Sequence, residues 1–170
     1  MTRIAILGGG SWGTALALVC SRSLRAREII LWVHDAALAE EIHRKRENIS
    51  HLPGHKLPEQ IRVEHNCTDA VRGAAIIVGA MPSAHAREVY SAAAPGIAPR
   101  TIVVSATKGL ELDSHLRMSE VIAQSLLSAM QPRTAVLSGP SFALEVAQGV
   151  PTAVVLASHD AALASELPSV

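Results

Sequence analysis

Cysteine is nearly missing from this chain of 170 residues: only Cys20 and Cys67 occur, with no metal-ligand spacing, so both are expected to be reduced structural residues. The eight histidines are scattered, the one HxxxH spacing, His51 to His55, enclosing Pro53 and Gly54, and the cysteines form no CxxC, which argues against a structural zinc or any other metal site. Long apolar runs are also lacking. The best, around Trp12 to Cys20 and Ala74 to Met81, reach about half the roughly 20 residues that span a bilayer, so no integral membrane segment is expected. The opening MTRIAILGGG has too short an apolar stretch, and no small-residue cleavage site, for a signal peptide, which makes the cytoplasm the expected location. Charge of one sign is not in excess: 15 Lys and Arg balance 15 Asp and Glu. Nucleic acid is therefore not expected as a partner, since its binding rests on clustered cations. The nearest cluster, Arg44, Lys45 and Arg46, stands among Glu40, Glu41 and Glu47 and reads as a solvated helix face.

What is present is aliphatic: 49% of residues are hydrophobic, enough for one good-sized core and against intrinsic disorder. Short, nearly all-apolar runs alternate with helical stretches. Strands are expected at about Arg3 to Leu7, Glu28 to Val33, Arg62 to Glu64, Ala75 to Gly79, Thr101 to Ser105, Thr134 to Leu137 and Thr152 to Ala157. Helices are expected at Trp12 to Leu24, Ala36 to Arg46, a short turn after Thr68, Ala84 to Ala93, His115 to Met130, Phe142 to Ala147 and Ala161 to Leu167. The alternation predicts an α/β fold with a doubly wound, mostly parallel Rossmann-type sheet carrying helices on both faces. The segment from Asn48 to Gln60, with Pro53, Gly54 and Pro58, is one long irregular connection, a kind of loop that is often functional.

The strongest local signal is RIAILGGGSWGTALA, an apolar strand, then Gly8, Gly10 and Gly13 in GxGxxG register, then an Ala- and Leu-rich helix. Gly8 permits the tight turn, Gly10 lets a pyrophosphate approach the backbone, and Gly13 lets the helix pack closely on the strand. The pyrophosphate then meets free N–H groups near Ser11 and Trp12. Asp35 stands near the expected spacing for an acid that reads the adenosine ribose, or else caps the helix starting at Ala36. His34, with Arg44 or Arg46, instead suits a 2′-phosphate, so NAD and NADP both stay open with a lean to NADP. Pro82 and Ser83 either line the cofactor cleft or form an ordinary strand-to-helix turn.

Lysine is scarce, and of Lys45, Lys56 and Lys108 only Lys108 follows a strand at the edge where open α/β sheets bind ligands. A cation there holds a phosphate or polarises a carbonyl. In VLSGPSFALEVAQGVPTA, Gly139 and Pro140 end a strand and start a helix, leaving N–H groups near Ser141 to Ala143 for a polar ligand, unless Ser138 simply caps that helix. Two helix starts and one lysine on one sheet edge describe a site for a dinucleotide and a small anionic substrate.

GGGSWGTALA, LWVHD, LPGHKLP, SATKGLE and SGPSFALEVAQGVPTA together resemble, in order and spacing, the bacterial-type NAD(P)-dependent glycerol-3-phosphate dehydrogenases, and the resemblance covers essentially the whole chain. It implies an oxidoreductase that interconverts dihydroxyacetone phosphate and sn-glycerol 3-phosphate for phospholipid synthesis. It puts Ser11, Trp12, His34, Lys108 and Ala143 on the cofactor, and Lys108, Gly139 and Ser141 on the substrate. His51 stands where the family often has a cofactor-contacting tyrosine before the LPG motif. Residues 1–170 would form the NAD(P)-binding domain. The family continues into a helical C-terminal domain with the general-base lysine, which falls beyond Val170, so no catalytic base is expected among these residues. The chain alone is then expected to bind cofactor but to turn over slowly or not at all. The full-length protein would admit a homodimer. Competing readings are a non-catalytic dinucleotide-sensing module, and a related dehydrogenase of another 2-hydroxy acid or a sugar nucleotide.

Overall fold

The computed structural model describes residues 2–23, 26–126 and 133–167. Its elements run β1 (Thr2–Leu7), α1 (Ser11–Ser21), β2 (Ala26–Trp32), α2 (Ala36–Lys45), β3 (Ile61–Glu64), α3 (Cys67–Val71), β4 (Ile76–Gly79), α4 (Ala86–Ala93), β5 (Ile102–Ser105), α5 (Met118–Ser125), β6 (Arg133–Ser138), α6 (Ala143–Gln148), β7 (Val155–Ala157) and α7 (Ala161–Glu166). The strands form one sheet in the order β3-β2-β1-β4-β5-β6-β7. Neighbours from β3 to β6 are parallel, and β7 runs antiparallel to β6, Leu137 pairing with Leu156. The strand order reverses between β1 and β4, which makes that edge the topological switch point of a Rossmann-like fold.

The middle of the sheet is buried on both faces because β4, β5 and the Ile4–Leu7 part of β1 carry almost only apolar side chains, whereas the edge strand β7 is largely exposed. Along β1, Ile4 and Ile6 join one core layer while Ala5 and Leu7 join the other, as a period of two requires. The first layer lies under α1, α2 and α6, built from Leu16, Leu18, Ile42 and Val146. The second lies under α3, α4 and α5, with Val71, Val89, Tyr90, Val121 and Ile122. α1 is sandwiched between the sheet and α6, so Gly13 to Leu18 are all buried. Small residues suit a helix enclosed in this way.

Several expected boundaries move. The helix expected from His115 starts at Met118, because His115 adopts φ +57 and Leu110 bridges Arg117, which makes the preceding stretch a tight loop. The rest of that expected helix, from Leu127 to Met130, lies outside the described residues, as does Leu24 at the end of the first. The strand expected from Thr152 shortens to Val155–Ala157. α2 stops at Lys45 because Arg46 takes a left-handed conformation, and a 3₁₀ turn over Ser83–His85 precedes α4.

Candidate functional site

The carboxyl ends of β1 to β6 open onto one cavity of about 940 Å³. Gly8 to Trp12 follow β1; Trp32 and His34 come from β2, His65 and Cys67 from the end of β3, and Ala80, Met81 and Pro82 from β4. His85, Glu88, Val89 and Ala92 of the next turn and α4, Ala106 to Lys108 after β5, and Ser141 and Ala143 after β6 complete the lining.

The glycine loop has the shape the motif predicts. Gly8 has φ +136, and a Cβ there would lie 2.8 Å from the carbonyl of Ala80. At Gly13 a Cβ would stand 1.8 Å from the Gly8 carbonyl oxygen, so α1 can rest on the loop only without one. A Cβ on Gly10 would meet nothing within 4 Å, which leaves open space at the loop where it borders the cavity. The first-turn N–H groups of α1 begin at Ser11 and Trp12 and have no intrahelical acceptor.

One corner of the cavity joins three distant segments. Lys108 Nζ donates to the Ser141 carbonyl at 3.1 Å and stands 3.3 Å from Ser141 Oγ. It also lies 5.6 Å from the centre of the Trp12 ring, within cation–π range. Trp12 Nε1 donates to the Ala106 carbonyl at 3.0 Å, which ties the start of α1 to the end of β5. At the other end, the Trp32 and His34 rings meet edge to face at 5.8 Å, and Trp32 Nε1 donates to the His65 carbonyl. Cys67 lines this end, and burial pushes its thiol up to about 11, which keeps it a weak nucleophile. Among the described residues, no three His, Cys, Asp or Glu side chains gather to hold a metal ion.

Of the residues singled out in the sequence, Gly8, Gly10, Ser11, Trp12, His34, Lys108, Ser141 and Ala143 line the cavity. Gly13 acts beneath the loop. His51 does not line it; its carbonyl accepts the Ser11 hydroxyl at 2.7 Å. Gly139 faces away, and a Cβ there would lie 2.7 Å from the Ala153 carbonyl. Asp35 is committed to α2, its Oδ1 accepting from the Leu38 N–H at 2.8 Å. Arg46 spends its guanidinium on the carbonyls of Leu57, Pro58 and Ile61 instead of on the cavity. Pro82 lines the cavity and Ser83 does not.

Sequence reasoning missed His65, whose only signal is its place at the end of β3, and Asn48. It also missed the ion pair of Arg87 with Glu111, which bridges α4 to the loop after Lys108.

The family model for the NAD-dependent glycerol-3-phosphate dehydrogenase N-terminus matches residues 3–164. A glycerol-3-phosphate dehydrogenase [NAD(P)+] of Acidobacterium capsulatum is 47% identical over 100% of this chain and 51% of its own length. One from Koribacter versatilis is 41% identical over 96% of this chain and 48% of its own. The crystal structure of glycerol-3-phosphate dehydrogenase from Coxiella burnetii superposes with a TM-score of 0.88 at 36% identity, covering 98% of this chain and 49% of that one. This chain thus spans about half the length of the relatives it matches. A glycine-loop cavity at the switch point, matched in sequence and in fold, places the chain in the family of the NAD-dependent glycerol-3-phosphate dehydrogenase N-terminus.

Proposed function

We propose that residues 1–170 are the dinucleotide-binding domain of an NAD(P)-dependent enzyme that interconverts sn-glycerol 3-phosphate and dihydroxyacetone phosphate, supplying phospholipid synthesis in the cytoplasm. The observation that carries this is the gathering of the glycine loop, His34, Lys108 and Ser141 around one cavity. The loop fits a pyrophosphate, since open space at Gly10 adjoins the free N–H groups that begin the 11-residue α1. When bound, the nicotinamide supplies or receives the hydride. Trp12 and Ala143 flank the cofactor, and Lys108, held by Ser141, presents its ammonium to the cofactor and to the substrate phosphate or carbonyl. Ser141 forms the substrate side, and His51, set back from the cavity, acts only by accepting the Ser11 hydroxyl on its carbonyl.

With Asp35 spent on the helix cap and His34 on the cavity wall, the adenosine end favours NADP. The proton is exchanged by a lysine beyond Val170, in a helical second domain that completes the full-length protein and its homodimer. Lys108 is a binding group and not that base.

Titration of this chain with NADPH and with NADH, followed by quenching of Trp12 and Trp32 emission, tests the reading. Saturable quenching is expected, with NADPH at least tenfold tighter, about 1.4 kcal/mol. Absence of binding to either by a folded sample would overturn it.

A further inference from the structure

Asn48 starts the long irregular connection after α2, 34 residues from the helix it touches, and is completely buried. Its Nδ2 donates to the Gly9 carbonyl at 2.8 Å and to Thr14 Oγ1 at 2.8 Å. The Thr14 hydroxyl in turn donates to the Gly10 carbonyl at 2.8 Å, an oxygen that also accepts from the Thr14 N–H at 3.0 Å. Asn48 Oδ1 faces the His51 N–H at 3.3 Å, and the Asn48 carbonyl accepts from the Leu52 N–H at 2.7 Å. The proton inventory has one solution. The single Thr14 hydroxyl proton goes to Gly10, so the Thr14 oxygen must accept, and the Asn48 carboxamide supplies the two N–H groups that it and Gly9 need, which a carboxylate of the same shape does not.

We infer that Asn48 is a positioning residue for the dinucleotide, holding the Gly9 and Gly10 carbonyls turned into the protein so that the glycine loop shows N–H groups to the pyrophosphate. This rests on the reading of the cavity as a dinucleotide site. A carbonyl dipole turned toward a pyrophosphate repels it, whereas an N–H attracts it, so the loop binds an anion only while both carbonyls are held back. From outside the motif, the Asn48 side chain holds the Gly9 carbonyl directly and the Gly10 carbonyl through the Thr14 hydroxyl. The Ser11 hydroxyl on the His51 carbonyl adds a second tie between the same two loops. The connection from Asn48 to Gln60 is therefore the outer support of the pyrophosphate loop.

The test is calorimetric titration with NADPH of the unaltered chain, Asn48→Asp, Thr14→Val, Thr14→Ser, and Asp160→Ala as a control. Asp160 caps α7 and pairs with Arg133, with no part in the cavity, so its loss lowers stability alone. Asn48→Asp keeps the shape and replaces both donors by acceptors. At a temperature where all are folded by circular dichroism, Asn48→Asp is expected to bind at least tenfold more weakly and Thr14→Val several-fold more weakly. Thr14→Ser, which keeps the relay hydroxyl, and Asp160→Ala are expected to bind as the unaltered chain does. A folded Asn48→Asp that binds within twofold of the unaltered chain overturns the inference while the dinucleotide reading stands. If that variant does not fold, a folded Thr14→Val within twofold does the same. Failure of the unaltered chain to bind overturns both.

Discussion

Arg87 grips Glu111 with two hydrogen bonds of 2.7 Å, Nε to one carboxylate oxygen and Nη2 to the other. Nη2 also reaches Gln124 on α5 at 2.9 Å, and the Ser114 hydroxyl donates to the same carboxylate. The loop that leaves the cavity at Lys108 and turns at Gly109, φ +93, is thereby fastened to α4 and α5.

That clasp makes stability depend on acid. The Arg87 guanidinium, and after it the Ser114 hydroxyl, hold the Glu111 carboxyl down to about 2, from an ordinary value of 4.5. A carboxylate stabilised when folded contributes in full above its unfolded value and loses that contribution as pH falls through the folded one. Urea midpoints of the unaltered chain and Glu111→Gln are expected to differ by a constant amount above pH 5 and to converge between about pH 4.5 and pH 2. A difference unchanged down to pH 2 would show that the charge is not what the clasp uses.

Lys108→Met keeps an unbranched side chain and removes the ammonium that lies 5.6 Å from the Trp12 ring centre. Loss of a charge-assisted contact costs about 1.5 kcal/mol, so the Kd for NADPH is expected to rise on the order of tenfold. Calorimetric titration checks it, and an unaltered Kd would take Lys108 off the cofactor.

Gly10 and Gly13 separate binding from folding. Gly10→Ala puts a methyl into open space, so stability is expected to stay within about 1 kcal/mol while dinucleotide affinity collapses. Gly13→Ala drives a methyl against the Gly8 carbonyl, and thermal unfolding should show a loss of about 1–3 kcal/mol before any ligand is added. Equal stability of the two variants would contradict the geometry.

Asp35→Ala removes the cap of α2 and is expected to cost about 1 kcal/mol in denaturant unfolding. Because the carboxylate does not line the cavity, NADPH affinity is expected to hold. A large loss of NADH affinity would instead return Asp35 to the ribose.

The parts legible in the sequence are those whose cause is local. β1, β2, β4 and β5 appear as short apolar runs because a strand buried on both faces needs apolar side chains at every position. The glycine loop is legible because two of its demands are local: Gly8 turns at φ +136, and Gly13 clears the Gly8 carbonyl a few residues before it. Lys108 stands out by scarcity, and the fold sets it at the cavity edge. Boundaries drift where a single backbone dihedral decides them, as at His115 and Arg46.

The polar partnerships were not legible. Asn48 looks like any loop asparagine until the chain folds its carboxamide beneath the glycine loop, and Arg87 meets Glu111 across 24 residues of sequence. Gly139 looks like a ligand glycine, yet its missing Cβ makes room for the Ala153 carbonyl. By itself the sequence determined the alternation of strands and helices, the glycine loop and the chemical types available at the sheet edge, because periodicity and backbone freedom act over a few residues. Only the tertiary structure decided that β7 turns antiparallel, that Asp35 serves its helix, and that Asn48 faces the loop, because a buried hydrogen bond depends on which distant segments the packing brings within 3 Å.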